Sequence, residues 1–251
     1  LDQSGAEAQR VHINELILRQ VPLASFHLLA LPGGFSWGDD HGAGVILGLR
    51  LKTALQKDLE EFDQAGKVII GICNGFQVLV NLGLLPGLDG AYFQRQVALI
   101  HNDCGNFRDA WVNLRVRPTR CPFVKDIEQI ELPVRHGEGK FFAPEDILQE
   151  LFARKQVVLQ YATPAGNLAQ GAFPHNPNGS LRDIAGICDA SGRILGLMPH
   201  PEAFISAYQH PAWTARKEAW RRQGLPYPAP PGEGLKIFQN AVDYLKNHFS
   251  D

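Results

Sequence analysis

The segment "KVIIGI" (67–72) constrains this chain more than any other. It is too short for a buried helix, and it stops abruptly at Cys73-Asn74-Gly75, so it reads as a buried strand. Two further runs repeat the pattern. "FHLLAL" (26–31) stops at Pro32-Gly33-Gly34, and "RILGLM" (193–198) stops at Pro199-His200-Pro201-Glu202. Between them, 45–62 carries Val45, Ile46, Leu49, Leu55, Leu59 and Phe62 near helical spacing, with Lys and Glu interspersed. A last helix is expected over 235–248, with Leu235, Phe238, Val242 and Leu245 on one stripe. Alternating strands and helices predict an α/β domain with a mainly parallel sheet.

The 251 residues are enough for a substantial core and are read as one domain over 1–251. The segment 203–234 is set apart by four prolines between 226 and 231 and by mixed charge, and is expected to be a surface excursion. The opening "LDQSGAEAQRVHI" resembles the end of a helix entering a strand, so an initial strand and part of a helix are expected ahead of it. Charges nearly cancel, 24 Lys+Arg against 26 Asp+Glu, and no basic stripe carries interleaved aromatics; a nucleic-acid partner is not expected. Apolar runs such as 68–72 and 97–100 are too short to span a bilayer. Cys73, Cys104, Cys121 and Cys188 form no C-x-x-C pair, which argues against a metal site or disulfide framework and for reduced thiols in the cytoplasm.

In open α/β sheets the functional crevice lies beyond the carboxyl ends of the strands, and three polar or glycine-rich motifs converge there. Gly71-Ile72-Cys73-Asn74-Gly75 has the form of a nucleophile elbow, in which glycines on either side permit a strained strand-to-helix turn. The helix start that follows favours a thiolate, and the Asn74 N–H is placed to receive an oxyanion. Gln77, one turn on, shares that helical face and is placed to touch a substrate. His200 and Glu202, two residues apart in an extended Pro-flanked segment, are expected on one side, the carboxylate orienting the imidazole. Gly33 and Gly34 let the backbone approach a ligand, and a second oxyanion N–H from this loop would complete the hole.

"GICNGFQ", "LPGGFSWGD", "HGEGK", "NPNGS" and "GLMPHPE" together resemble the motifs of class I, triad-type glutamine amidotransferases. Within that superfamily they look like the subfamily serving as the glutaminase subunit of phosphoribosylformylglycinamidine synthase in purine biosynthesis. The resemblance implies a three-layer, flavodoxin-like fold with helices on both faces of the sheet. It implies Cys73, His200 and Glu202 as a catalytic triad, with a γ-glutamyl thioester on Cys73, and the N–H groups of Gly34 and Asn74 as the oxyanion hole. It also implies L-glutamine contacts at Gly33, Gln77, Asn102 and Phe107, the last two in "HNDCGNF" (101–107). In that segment Cys104 and Asn106 stand where Ser and Arg are common in the family. Ammonia would pass to a separate synthetase subunit, which uses ATP and magnesium, and a small bridging subunit would join the two. No cofactor is expected in this chain, which has no phosphate loop. His136 is left open between a role at the synthetase interface and a loop-shaping one, and His175 with Asn178-Gly179-Ser180 is expected to form a turn at the site mouth or partner surface. Two other readings remain: a catalytically silent scaffold subunit of the same complex, and another cysteine hydrolase of the same fold.

Overall fold

The computed structural model describes residues 1–224 and 231–249. In chain order the main elements are α1 (Ile13–Ile17), β1 (Leu28–Leu31), α2 (Val45–Gln64), β2 (Val68–Ile72), α3 (Asn74–Leu82), β3 (Ala98–His101), β4 (Arg108–Val116), β5 (Gln129–His136), β6 (Glu138–Phe142), α4 (Glu145–Ala153), β7 (Val157–Ala162), β8 (Ile184–Cys188), β9 (Ile194–Leu197), α5 (Trp213–Arg222) and α6 (Leu235–Phe249). Seven strands form one sheet in the order β1-β2-β9-β8-β7-β4-β5, and β3 pairs with β6 in a separate antiparallel ribbon. β1, β2 and β9 pair in parallel, and the remaining neighbours pair antiparallel. Counted by direction, β1, β2, β9, β7 and β5 run one way and β8 and β4 against them, so the expected mainly parallel α/β sheet is present.

The three parallel strands are the ones read from the sequence, and their apolar content explains their place. Val68, Ile69 and Ile70 of β2 are fully buried, as are Ile194, Leu195 and Leu197 of β9. Burying such a side chain contributes roughly 1.5–3 kcal/mol, enough to force both strands into the middle of the sheet. α2 packs on this layer through Leu51, Leu55, Leu59 and Phe62, each at most 3% exposed. Leu49 does not belong to that stripe: it is 58% exposed. Six residues from Leu55 at about 100° each leave it roughly 120° off the buried face. α6 follows expectation, with Leu235, Phe238 and Val242 buried.

The excursion at 203–234 is more anchored than its composition implies. Phe204 and His210 are buried against Trp111 of β4, in ring contacts of 5.0 and 4.6 Å. His210 and Arg216 both reach Glu131 of β5. α5, by contrast, buries no residue. Pro226, Pro228 and Pro230 lie outside the described residues. Among the described residues no helix is long and apolar enough to cross a membrane.

Candidate active site

Cys73 sits between β2 and α3 with φ 51° and ψ −106°, a conformation L-residues rarely adopt. Holding it costs of order 1–3 kcal/mol, supplied by the packing around the elbow. The flanking glycines have a steric reason. A Cβ on Gly75 would lie 1.9 Å from the Leu31 carbonyl oxygen, and one on Gly71 would lie 2.5 Å from the Gly75 oxygen. The first turn of α3 therefore packs directly on the strand ends, and the thiol is thrust beyond them. The Cys73 N–H donates to Leu197 O at 2.8 Å, which ties the elbow to β9. The thiol itself lies 3.5 Å from the Arg135 carbonyl oxygen.

His200 follows β9 by three residues. Its Nδ1 is 2.5 Å from Glu202 Oε1, and its backbone N–H donates to Pro133 O at 2.8 Å. The pairing with Glu202 is as expected, but the local geometry is not. Residues Pro201–Ala203 form a 3₁₀ turn rather than an extended segment, and the carboxylate curls back to the ring. Nε2 is buried without a hydrogen-bond partner of ordinary geometry. Burial opposes the charged imidazolium, yet interaction with the Cys73 thiol and the Glu202 carboxylate outweighs it, and the pKa of His200 is pushed up to about 9. At neutral pH this imidazole is protonated, with one nitrogen held by a carboxylate and the ring beside a thiol.

Gly33 packs under that ring: a Cβ there would lie 2.8 Å from His200 Cε1 and 3.5 Å from Cys73 Cβ. Gly34 has φ 138°, where glycine is strongly favoured, and the chain then turns through Ser36–Asp39. Asn74 is buried and fastens this loop to α3, accepting from the Ser36 N–H and donating to Asp39 Oδ1 at 3.2 Å. Burial raises the Asp39 pKa, against the lowering effect of hydrogen bonds from Gly44 and Asn74.

These groups open into a cleft of about 640 Å³, whose lining includes Gly34, Cys73, Gln77, Asn102, Phe107 and His200. That volume suits a small-molecule ligand. Gly33, Asn74 and Glu202 are not among the lining residues. Gln77 is buried, its amide donating to Glu138 O at 2.5 Å and accepting from Asn74 at 3.1 Å. Asn102 is likewise occupied, donating to Asn106 O and His136 O and accepting from the Gly139 N–H. Phe107 is 52% exposed and faces Phe35 across the mouth, with ring centroids 6.4 Å apart.

The turn at Asn178-Gly179-Ser180 does not form the mouth. Asn178 and Ser180 are buried, binding Gly139 O at 2.8 Å and the Phe141 N–H at 3.0 Å, so the turn carries β6 from behind. His136 is buried as well, which removes it from any surface interface. Sequence reasoning missed Arg135 and Pro133, whose contributions are backbone carbonyls without a side-chain signature. It also left out Asp39 and Glu138, two carboxylates on the cleft wall.

The family model for the CobB/CobQ-like glutamine amidotransferase domain matches residues 1–245. The chain belongs to that family. Its similar relatives include proteins named phosphoribosylformylglycinamidine synthase subunit PurQ. One from Methanococcus maripaludis is 44% identical over 245 residues, covering 97% of this chain and 89% of the relative. One from Dehalococcoides mccartyi is 43% identical over 246 residues, with the same coverage. Among solved structures, that of PurLQS from Thermotoga maritima aligns with a TM-score of 0.63 and 31% identity, covering 90% of this chain and 83% of that one. This family membership agrees with the resemblance carried by the elbow and the "MPHPE" segment.

Proposed function

We propose that this amidotransferase chain is the ammonia-releasing glutaminase subunit of a phosphoribosylformylglycinamidine synthase, in de novo purine biosynthesis in the cytoplasm. The observation that carries the reading is the meeting of a thiol on a strained elbow with a carboxylate-held imidazole, at the ends of two adjacent parallel strands. The names and 43–44% identity of relatives spanning nearly the whole chain support the pathway.

In this reading the Cys73 thiolate attacks the side-chain carbonyl carbon of L-glutamine. The oxyanion is received by the N–H of Asn74, at the start of α3, and by that of Gly34. His200 gives its proton to the departing nitrogen, and ammonia leaves a γ-glutamyl thioester. Neutral His200 then draws a proton from water, which attacks the thioester and yields glutamate, while Glu202 keeps the ring in one tautomer throughout. ATP and magnesium belong to the partner synthetase, and a small bridging subunit completes the assembly.

The test is glutamine hydrolysis by the chain assembled with its synthetase, ATP and the ribonucleotide. Cys73→Ala is expected to abolish ammonia release while leaving assembly intact. Undiminished release by that variant would end the reading.

A further inference from the structure

Of the two imidazoles lining the cleft that the mechanism above leaves without work, His101 is exposed and His136 is buried. It ends β5, is 2% exposed, and lines the same cavity as Cys73 and His200. Its orientation is tightly held. Asn102 Nδ2 donates to the Asn106 and His136 carbonyls at 3.0 and 2.8 Å, which fixes which end of that amide is oxygen. Asn102 Oδ1 therefore accepts, from the Gly139 N–H and from His136 Nδ1 at 3.1 Å. Gly139 closes over the ring so tightly that a Cβ there would lie 2.3 Å from Nδ1.

The proton of His136 is thus on Nδ1, and Nε2 carries a bare lone pair. That atom is buried with no hydrogen-bond partner. A buried unpaired acceptor costs free energy, so a ligand donor is the natural partner in a cleft wall. Burial and the positive charge of His200 push the His136 pKa down to about 4, so the ring stays neutral beside an imidazolium. Glutamine offers N–H donors at two ends. Asp39 and Glu138 give the cleft carboxylates suited to the α-ammonium, whereas an uncharged acceptor near His200 suits the carboxamide.

We propose that His136 Nε2 accepts a hydrogen bond from the side-chain carboxamide of bound glutamine, on the nitrogen that leaves as ammonia. This rests on the glutaminase reading and adds a substrate-holding residue to it. The step balances without His136 exchanging a proton. The Cys73 sulfur forms the C–S bond, the C–N bond breaks with its electron pair staying on nitrogen, and that nitrogen takes the proton of the His200 imidazolium. His136 holds the amino group with its lone pair aimed for protonation and receives the neutral ammonia.

The experiment compares L-glutamine with the γ-methyl ester of L-glutamate, whose leaving oxygen carries no N–H, in the complete synthetase complex. His136→Phe is expected to lower kcat/KM for glutamine on the order of 10- to 100-fold, the loss of one buried hydrogen bond, and to leave the ester within about threefold. Equal losses on both substrates would overturn the assignment, because a purely structural role or an α-ammonium contact predicts that result. Failure of the wild-type complex to hydrolyse glutamine at all is a distinguishable outcome that removes the underlying reading too. Should His136→Phe not fold, the same question is put to Cys73→Ala, which keeps His136. The ¹⁵N resonance of His136 Nε2 is expected to shift on binding glutamine and to stay put on binding the ester. No shift at saturating glutamine refutes the proposal.

Discussion

Gly33→Ala puts one methyl group where the structure has no room for it. The nearest atom to the new Cβ would be His200 Cε1 at 2.8 Å, with Nδ1 at 3.4 Å and Cys73 Cβ at 3.5 Å. Ordinary contact begins near 3.4 Å, so the ring must retreat by about 0.6 Å. The backbone cannot absorb the strain, because the His200 N–H is bonded to Pro133 O and Nδ1 to Glu202. Retreat therefore moves Nε2 relative to the thiol. A misplacement of this order costs roughly 10- to 100-fold in the chemical step. Gly33 does not occupy the left-handed region, so alanine brings no backbone strain and the fold survives. Overpacking costs about 1–3 kcal/mol, a fall in melting temperature of several degrees for a chain this size. The assay is kcat for glutamine hydrolysis in the assembled complex, beside iodoacetamide alkylation of Cys73 at pH 7 and a far-UV dichroism melt. A folded variant with kcat and alkylation rate both within about threefold of wild type would refute the reasoning.

Two further outcomes follow from the same geometry. His200, raised from 6.5 to about 9 in the folded chain, contributes stability that is fully present below pH 6.5 and is lost as pH rises through about 9. Glu202→Gln removes one of the partners that raise it, so the fall in urea midpoint between pH 6 and pH 9.5 should be smaller in that variant than in wild type; an unchanged fall would contradict the assignment. Asn178→Ala strips a buried donor from Gly139 O and Tyr161 Oη, and an acceptor from Ser180 Oγ. The expected cost is about 1–3 kcal/mol, read as a lower melting temperature, together with a raised KM for glutamine as β6 loosens.

The parallel third of the fold was legible because its strands are fully buried and therefore written as unbroken apolar runs. The elbow was legible for a related reason: close packing of α3 on β1 and β2 excludes a side chain at Gly71 and Gly75, and that exclusion leaves a visible pattern. The antiparallel part, with β4, β5, β7 and β8, was not placed from the sequence even though β5 ends at "HGEGK", because β4, β5 and β7 are not unbroken apolar runs, and the β3–β6 ribbon pairs segments far apart in sequence. Leu49 was misplaced because a list of apolar positions does not identify which face is covered. The His200–Glu202 contact was read correctly from an extended geometry that the chain does not adopt, since proline-flanked dipeptides also form 3₁₀ turns. Asn178 and Ser180 looked like a surface turn because Asn, Gly and Ser favour turns and because Asn and Ser are mostly exposed on average. Only the positions of Gly139 and Phe141 show that their side chains serve a buried backbone.

The least legible part of the site is also the part that joins its halves. β5 lies at the far end of the sheet from β1, yet its unpaired edge meets both reactive residues. Pro133 has no N–H, a defect in a central strand but harmless on an edge facing away from the ladder. Its carbonyl on that edge takes the His200 N–H, and the next carbonyl along the edge, that of Arg135, takes the Cys73 thiol. The Cys73 N–H is meanwhile bonded to β9, the strand that carries His200. Nucleophile and base are therefore held to each other through β9 and to a common third strand through two carbonyls, with the Cys73 thiol the only side chain involved in these contacts. Side-chain substitutions along β5 should thus be tolerated at Arg135, whose guanidinium is half exposed and whose contribution is its carbonyl, but not at His136 beside it, where the ring itself lines the cleft.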